Sequence, residues 1–578
     1  MKSNLFSRAF AAIFLISLTL SLVPVNLLVF AEWRDPVRGK HAMVASQHEL
    51  ASNIGVEIMK SGGNAVDAAV AVGLALAVVY PEAGNIGGGG FMLIRDKNGV
   101  ARAIDYREMA PKAAGRDIFV DKAGILIKGE GSSTVGYHAS GVPGTLAGFE
   151  LAFNKYGSGK LKWADIVRPA RMLAQNGYVL SYRLTELFKS YKESLSKYED
   201  SKRIFLNDGK YYEEGDIFRQ PDLALTLMRI EQKGSSDFYT GETAHLIADD
   251  MKAHGGLITL EDLKNYRAKE RIPLHGNYRG NEIITMPPPS SGGIVMLEVL
   301  NMLEGYDLRM MKYNSAAKYH LVAEAMRRAF ADRAEFMGDP DFASVPVARM
   351  IDKSYAKQRR GSINPTKASS SREVGHGDIP GGESMDTTHF TVIDPAGMVV
   401  TNTFTLNDLY GSRVTAKGTG VLLNDEMDDF AARPGKPNMF GLVEGEKNSV
   451  QPGKRPLSSM TPTIVLRKDG SFWFALGARG GPHIISAVLQ SVINVIDFDM
   501  DIQAAIDAPR IHHQWLPDEL LYEPYGFSPD TLNILAGYGH KFADKPGNVA
   551  SATGVMVDAK GVRLGAIDSR SNGEAVGY

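Results

Sequence analysis

Thr387 stands where a polar stretch rich in glycine and serine meets a strand-like one. Residues 364–386 contain Ser369-Ser370-Ser371 and several glycines but few apolar side chains, a composition typical of a flexible linker. From Thr387 onward, polar and apolar residues alternate, which indicates a β-strand. Cleavage between Asp386 and Thr387 would give one residue a hydroxyl nucleophile and a free α-amine of pKa about 8, which can act as its base. The junction therefore predicts chain cleavage followed by covalent catalysis.

Four further motifs accompany the Thr387-Thr388-His389-Phe390 sequence. They are Gly84-Asn85-Ile86-Gly87-Gly88-Gly89-Gly90-Phe91, Asp105-Tyr106-Arg107-Glu108-Met109-Ala110-Pro111, the sequence NDEMDDF at 424–430, and Arg455-Pro456-Leu457-Ser458-Ser459-Met460. In their order along the chain, the five motifs resemble those of the γ-glutamyltranspeptidases, members of the N-terminal nucleophile hydrolase superfamily. The resemblance extends over nearly the whole chain, from 39 to 578.

This resemblance implies an α+β fold, a four-layer αββα sandwich, made by a precursor that cuts itself. The large subunit would be 32–386 and the small catalytic subunit 387–578, and the two would assemble as a heterodimer. The implied substrates are glutathione and other γ-glutamyl compounds, and the implied acceptors are water, amino acids and dipeptides. No cofactor, metal or nucleic acid is expected to take part.

The residues that match the family's catalytic positions are few. Thr387 matches the nucleophile, and Thr405 matches a second threonine whose hydroxyl orients it. Gly480 and Gly481 match the glycines whose backbone N–H groups form the oxyanion hole, where glycine allows close approach of the substrate.

The positions that match the family's substrate-binding residues form two groups. The first group holds the donor's α-carboxylate, a task suited to a planar guanidinium, and consists of Arg107, Ser458 and Ser459. The second group offers acceptors to the donor's α-ammonium, which needs paired charge when buried, and consists of Asn407, Glu426 and Asp429.

The sequence departs from the family pattern in three places. Glu426 stands where many bacterial relatives have Gln, so it adds a negative charge. Phe440, in a predicted lid over 434–443, stands where Tyr occurs in some relatives and cannot make the Tyr hydroxyl's hydrogen bond. Ala478-Arg479 precede the glycine pair where many relatives have Ser-Pro.

Two other functions are compatible with the same residues. A cephalosporin acylase of this superfamily would act on a glutaryl group, which lacks the α-ammonium; Asp429 beside Arg107 favours an amino-acid head group instead. A non-catalytic secreted binding protein of this fold would keep its chain uncut. The sequence contains neither the phosphate-binding G-x-x-x-x-G-K-[ST] motif nor the G-x-S-x-G of α/β-hydrolases.

The elements that must position these residues follow from periodicity and composition. Helices are expected over 46–60, with Ser46 as N-cap, and over 64–79, 315–335 and 483–496. Strands are expected over 91–94, 101–106, 463–466 and 472–476, and 398–406 is expected to pair antiparallel with the strand that begins at Thr387.

The chain has 578 residues, a formal net charge of −2 and no cysteine. This length is sufficient for a large core, the lack of excess positive charge argues against nucleic acid binding, and the absence of cysteine excludes disulfides and thiolate chemistry.

Residues 1–31 combine Lys2 and Arg8 with an apolar run and Val29-Phe30-Ala31, the pattern of an export signal. The protein is therefore expected in the periplasm or outside the cell. A retained membrane anchor is the alternative, since 9–30 is long enough to span a bilayer.

Overall fold

The computed structural model describes residues 34–375, 387–439 and 441–578. Within this part, 36–578 form one compact unit. Four predictions concern residues that lie outside the described ranges, namely the export signal at 1–31, the downstream part of the linker at 376–386, Asp386 at the cleavage point and Phe440 in the lid. No helix among the described residues is both long enough and apolar enough to cross a membrane.

Two seven-stranded antiparallel sheets form the centre of the molecule. Sheet 1 holds the strand that follows Thr387, and its strands in spatial order are Glu574–Gly577, Met43–Ser46, Thr388–Ile393, Val399–Thr405, Gly89–Arg95, Ala101–Asp105 and Lys269–Arg271. Sheet 2 holds the strand that leads to the glycine pair, and its order is Val37–Gly39, Arg563–Ile567, Ser551–Val557, Phe472–Arg479, Thr463–Leu466, Asn281–Thr285 and Leu274–Tyr278. Three two-stranded ribbons pair Tyr178–Val179 with Ile217–Phe218, Thr415–Ala416 with Val421–Leu422, and Ile511–His512 with Leu521–Tyr522.

The two sheets pack face to face. Phe91 and Val399 of sheet 1 join Leu476 and Val555 of sheet 2 in one buried core, as alternating side chains do when two sheets stack. The outer face of sheet 1, including Phe404, packs against a helical layer, and further helices cover sheet 2. The four-layer αββα arrangement that the resemblance implied is therefore confirmed.

The helices of the first layer precede residue 266 and share one core with sheet 1. They are Glu49–Lys60, Ala65–Val79, Thr145–Tyr156, Trp163–Asn176, Tyr182–Ser190, Lys192–Leu195, Glu199–Phe205, Pro221–Lys233, Ser236–Thr240, Glu242–Ala253 and Leu260–Asn265. The later helices are Gly292–Leu303, Leu308–Met311, Ala316–Phe336, Val347–Met350, Lys353–Arg360, Ser371–Val374, His483–Phe498, Ile502–Asp507 and Pro529–Gly537. The 3₁₀ turns are Tyr137–Ala139, Asn207–Gly209, Glu426–Asp429 and Glu446–Asn448.

The structure differs from the sequence-based prediction at two element boundaries. Ser46 ends a strand, and the first helix begins at Glu49 with the His48 side chain accepting the Leu50 N–H, so the predicted Ser46 cap is wrong. The upstream part of the predicted linker, 364–375, is anchored: the backbone N–H of Ser371 donates to Asp518 at 3.0 Å, and the Trp515 indole N–H donates to the Ser371 carbonyl at 2.9 Å. Contacts distant in sequence, which composition does not reveal, order this part of the chain.

Candidate active site

Thr387 lies at the start of a central strand of sheet 1. The strand Thr388–Ile393 pairs antiparallel with Val399–Thr405, and Thr388 lies opposite Phe404. This register brings the Thr387 hydroxyl to 3.3 Å from the Thr405 hydroxyl. The Thr405 oxygen also accepts the Asn407 N–H at 2.8 Å, so a backbone donor fixes the position of the second hydroxyl. The predicted pairing of these strands is confirmed.

The glycine run 84–90 allows the backbone to pack tightly beside Thr405. A Cβ added to Gly88 would lie 2.0 Å from the Thr405 carbonyl oxygen, and one on Gly90 would lie 2.4 Å from the Thr403 carbonyl oxygen. Any side chain at these two positions would push the strands apart. The structure therefore agrees with an interpretation of this run as close packing rather than as a phosphate-binding loop.

Arg107 is fully buried and connects two loops that are distant in sequence. Its guanidinium donates to the carboxylates of Glu426 and Asp429 in the 3₁₀ turn Glu426–Asp429. The same side chain donates to the backbone carbonyls of Pro456 and Leu457, each at 3.2 Å. A planar group with five N–H donors suits such a set of acceptors, whereas a lysine does not. One side chain thus fixes both the acidic turn and the serine-containing loop.

The acidic groups around Arg107 outnumber it. Glu108 forms a third ion pair with the guanidinium, at 3.6 Å. Burial raises the pKa of Glu426 well above its usual range and that of Asp429 as well, although Arg107 opposes both shifts. Burial acts to lower the pKa of Arg107, but the carboxylates outweigh it and raise that pKa. The excess of carboxyl groups over guanidinium favours an additional cation at this place.

Glu108 should make the stability of the protein depend on pH. Burial raises the pKa of Glu108 from 4.5 to about 7, with Arg107 opposing the shift. The contribution of protonated Glu108 to the free energy of unfolding is complete below pH 4.5. It is lost as the pH rises to about 7, because Glu108 releases its proton more readily in the unfolded chain than in the folded one. Glu108→Gln should therefore raise the free energy of unfolding, and with it the melting temperature, relative to the parent more at pH 8 than at pH 5, with a difference in free energy of about 2–3 kcal/mol.

The matched control for this change is Glu261→Gln. The Glu261 side chain is 63% exposed, so its replacement should shift the melting temperature equally at both pH values. An equal effect of Glu108→Gln at pH 5 and pH 8 would contradict the prediction.

The two serines and Gly481 line the same cavity as Thr387. Ser458 is held by its backbone N–H, which donates to the Pro289 carbonyl at 2.9 Å, while its hydroxyl accepts the Met460 N–H at 3.2 Å. Gly480 and Gly481 have φ of +129° and +52°, values that favour glycine. Only Pro482 separates them from the helix His483–Phe498, whose N-terminal end favours negative charge.

One narrow cavity of about 20 Å³ collects most of the predicted residues. The predicted residues that line it are Thr387, Thr405, Arg107, Asn407, Glu426, Asp429, Ser458, Ser459 and Gly481. Gly480 lines a neighbouring cavity instead.

Sequence reasoning missed Arg333, which also lines the first cavity and pairs with Glu444 at 2.7 Å. The sequence does place a charged residue among the buried positions of the helix Ala316–Phe336. The periodic pattern does not reveal, however, which charged residue forms a buried ion pair.

Comparison with known proteins agrees with this geometry. Residues 51–578 match the family model described as gamma-glutamyltranspeptidase. The chain is 48% identical over 549 residues to the glutathione hydrolase proenzyme of Escherichia coli (strain K12), covering 95% of this chain and 93% of that relative. It resembles the crystal structure of cephalosporin acylase from Bacillus halodurans with a TM-score of 0.83 and 26% identity, covering 96% and 99% of the two chains. It resembles the crystal structure of Helicobacter pylori gamma-glutamyltranspeptidase with a TM-score of 0.56 and 48% identity, covering 57% of this chain and 93% of that one. The chain therefore belongs to the gamma-glutamyltranspeptidase family.

Proposed function

We propose that the chain is a γ-glutamyl transferase and hydrolase that acts on glutathione and related γ-glutamyl compounds. The observation that carries this proposal is the shared cavity, in which the hydroxyl of Thr387 lies with the buried ionic cluster of Arg107, Glu426 and Asp429. A γ-glutamyl donor has a reactive carbonyl at one end and an α-amino acid group at the other. The cavity offers a nucleophile to the first and paired charges to the second.

The proposed reaction proceeds through a covalent ester. The Thr387 oxygen bonds to the γ-carbonyl carbon while the α-amine of Thr387, free after chain cleavage, takes the hydroxyl proton. The N–H groups of Gly480 and Gly481 stabilise the oxyanion, and loss of one such donor costs about 3 kcal/mol. The C–N bond then breaks, and the leaving amine takes that proton. Water or an amine opens the ester and returns a proton to the Thr387 oxygen.

Cleavage between Asp386 and Thr387 would create this nucleophile. Two observations support maturation into subunits 32–386 and 387–578. The Escherichia coli relative is named a proenzyme, and sheet 1 interleaves strands from both proposed pieces, with Gly89–Arg95 beside Val399–Thr405 and Met43–Ser46 beside Thr388–Ile393. Two pieces that share each hydrogen-bonded sheet would stay together as a heterodimer after the cut.

The carboxyl groups of Asp429 and Glu426 distinguish a γ-glutamyl donor from a glutaryl one, because only the former carries an α-ammonium. The test compares hydrolysis of γ-glutamyl-p-nitroanilide and glutaryl-p-nitroanilide by the purified protein. We expect kcat/KM to be at least 10-fold higher for the γ-glutamyl compound. A higher value for the glutaryl compound would favour the acylase, and an uncut chain inactive on both would favour the non-catalytic binding protein.

Two further assignments remain proposals. Residues 1–31 would direct export, so that the enzyme meets extracellular or periplasmic γ-glutamyl compounds. Phe440 would belong to a lid over the donor; in support, Leu442 lines the cavity and the Met439 sulfur lies 3.6 Å from the Asn407 side-chain nitrogen.

A further inference from the structure

Asp425, the residue before Glu426, is a fully buried carboxyl group that the proposed reaction does not use. We propose that Asp425 is a positioning residue that works as a neutral carboxylic acid: it holds the loop 407–413 and thereby directs the Asn407 carbonyl at the donor's α-ammonium, until alkaline pH ionises it. The inference rests on the proposed function and deepens it, because it names the group that makes donor binding depend on pH.

The loop 407–413 follows the strand Val399–Thr405 and has a strained backbone. Asn407, Tyr410 and Arg413 have φ of +82°, +61° and +70°, values that residues other than glycine rarely adopt. All three side chains are buried. A backbone of this kind persists only where the surrounding contacts hold it. The loop that carries Asn407 therefore depends on its neighbours for its shape.

Asp425 supplies three of these contacts at the start of the loop. Its backbone N–H donates to the Leu406 carbonyl at 2.9 Å. Its backbone carbonyl accepts the side-chain N–H of Asn407 at 3.1 Å, and its carboxyl Oδ1 accepts the backbone N–H of Asp408 at 3.0 Å. One residue thus holds three consecutive positions of the chain, and the carboxyl group is responsible for the last of them.

The orientation of the Asn407 amide follows from these contacts. Its side-chain nitrogen lies 3.1 Å from the Asp425 carbonyl oxygen and 3.6 Å from the Met439 sulfur. Because both contacts use the nitrogen, the amide oxygen is left to accept from a cation in the cavity that Asn407 lines. The reversed amide would present N–H groups, which cannot accept from an ammonium. Asp425 therefore determines which end of the amide the donor meets.

The surroundings of the Asp425 carboxyl favour its neutral form. Its Oδ2 is buried and has no hydrogen-bond partner among the described residues. The charged groups that face it are the carboxyls of Asp408, Glu426 and Asp428 and the guanidinium of Arg413, which pairs with Asp408 at 2.5 Å. Burial raises the pKa of Asp425 well above its usual range. An unpaired charge at this place would cost far more than an unpaired neutral oxygen.

Ionisation of Asp425 would disturb the loop rather than the nucleophile. It would add a negative charge beside Asp408 and leave that charge without a donor on Oδ2. Movement of the carboxylate toward water relieves this cost but breaks its bond to the Asp408 N–H. The strained loop then relaxes, and Asn407 loses its orientation. The Thr387–Thr405 pair lies on the strands themselves, so KM for the donor should rise while kcat changes little.

The first test compares the parent with Asp425→Asn, which keeps an acceptor oxygen and cannot ionise. The quantity measured is KM for γ-glutamyl-p-nitroanilide in the parent divided by that in the variant at the same pH. We expect this ratio to be within about 2-fold of one at pH 6 and to rise about 5-fold or more by pH 9.5. The ratio cancels the titration of the donor's own amine and of the neighbouring carboxyl groups.

Two further measurements separate positioning from a merely structural role. Asp425→Leu keeps a similar volume but removes the acceptor for the Asp408 N–H. It should raise KM about 10-fold at pH 6 and leave kcat within about 3-fold of the parent. Infrared spectra at pH 7 require no folded Leu variant: the parent minus Asp425→Asn difference should contain the C=O band of a protonated carboxyl group.

The matched control is Asp394→Asn, the same change at a buried aspartate in the turn that joins the strands Thr388–Ile393 and Val399–Thr405. The Asp394 carboxyl also accepts backbone N–H groups, those of Ala396 and Met398, each at 2.9 Å. Its KM ratio to the parent should be the same at pH 6 and at pH 9.5.

Three results would overturn the inference. They are a ratio for Asp425→Asn that stays constant between pH 6 and pH 9.5, a difference spectrum without the carboxylic acid band, and equal losses of kcat and KM performance in folded Asp425→Leu. A parent that does not hydrolyse the donor at any pH would instead overturn the proposed function.

Discussion

Thr387→Ala should yield one uncut chain that does not hydrolyse γ-glutamyl-p-nitroanilide, with kcat/KM reduced by at least about 10³-fold. The substitution removes the hydroxyl that we propose both cuts the chain and accepts the γ-glutamyl group. The parent should contain a fragment that begins Thr-Thr-His-Phe. N-terminal sequencing and denaturing electrophoresis would measure the cleavage, and release of p-nitroaniline would measure the activity.

The neighbouring threonine is a matched control for this change. Thr388 is fully buried, and its hydroxyl has no hydrogen-bond partner among the described residues. Thr388→Val should therefore be cut and active, while Thr387→Ser, which keeps a hydroxyl, should retain part of both properties. Normal cleavage of Thr387→Ala would refute the proposed role of this residue, whatever the activity of the product.

Arg107→Lys should lower kcat/KM for γ-glutamyl-p-nitroanilide about 100-fold without preventing cleavage at Thr387. Arg107 donates to two carboxylates and two backbone carbonyls, and a lysine ammonium, with three N–H donors, cannot satisfy this set. In the proposed complex the guanidinium also binds both oxygens of the donor's α-carboxylate, which an ammonium cannot do, and loss of one charged hydrogen bond to the substrate, about 1.5–3 kcal/mol, lowers kcat/KM by about 10- to 100-fold. Steady-state kinetics would measure the effect.

Arg107→Met should have a different consequence. It leaves Glu108, Glu426 and Asp429 without their shared cation, and breaking a buried pair in this way costs about 3–5 kcal/mol of stability. Thermal denaturation would therefore separate the two variants, with only Arg107→Met expected to melt far below the parent. Arg168→Lys, at a half-exposed ion pair, is the control for a charge-preserving change. A kcat/KM for Arg107→Lys within 3-fold of the parent would contradict the role assigned to Arg107.

The local pattern of the sequence determined most elements near the site. Alternation predicted the strand Thr388–Ile393 and its antiparallel partner Val399–Thr405. The segment after Asn64 predicted a helix, and Ala65–Val79 is that helix, buried throughout, with a capping box between Asn64 and Asp67. These features depend on residues a few positions apart, for which periodicity and capping chemistry are sufficient. The arrangement of two sheets came from the family resemblance, since periodicity alone does not determine how strands associate.

The sequence by itself thus determined the strands, the buried helix and the five motifs that identify the family. Only the tertiary structure decided which charges meet. Arg107 and Glu426 are 319 positions apart, yet they form one buried pair, and Arg333 lies in the same cavity from a helix that carried no catalytic motif. The structure also assigned Gly480 and Gly481 to different cavities. The physical reason is that a charge becomes buried only when distant segments pack around it, and the pattern of neighbouring residues does not encode that packing.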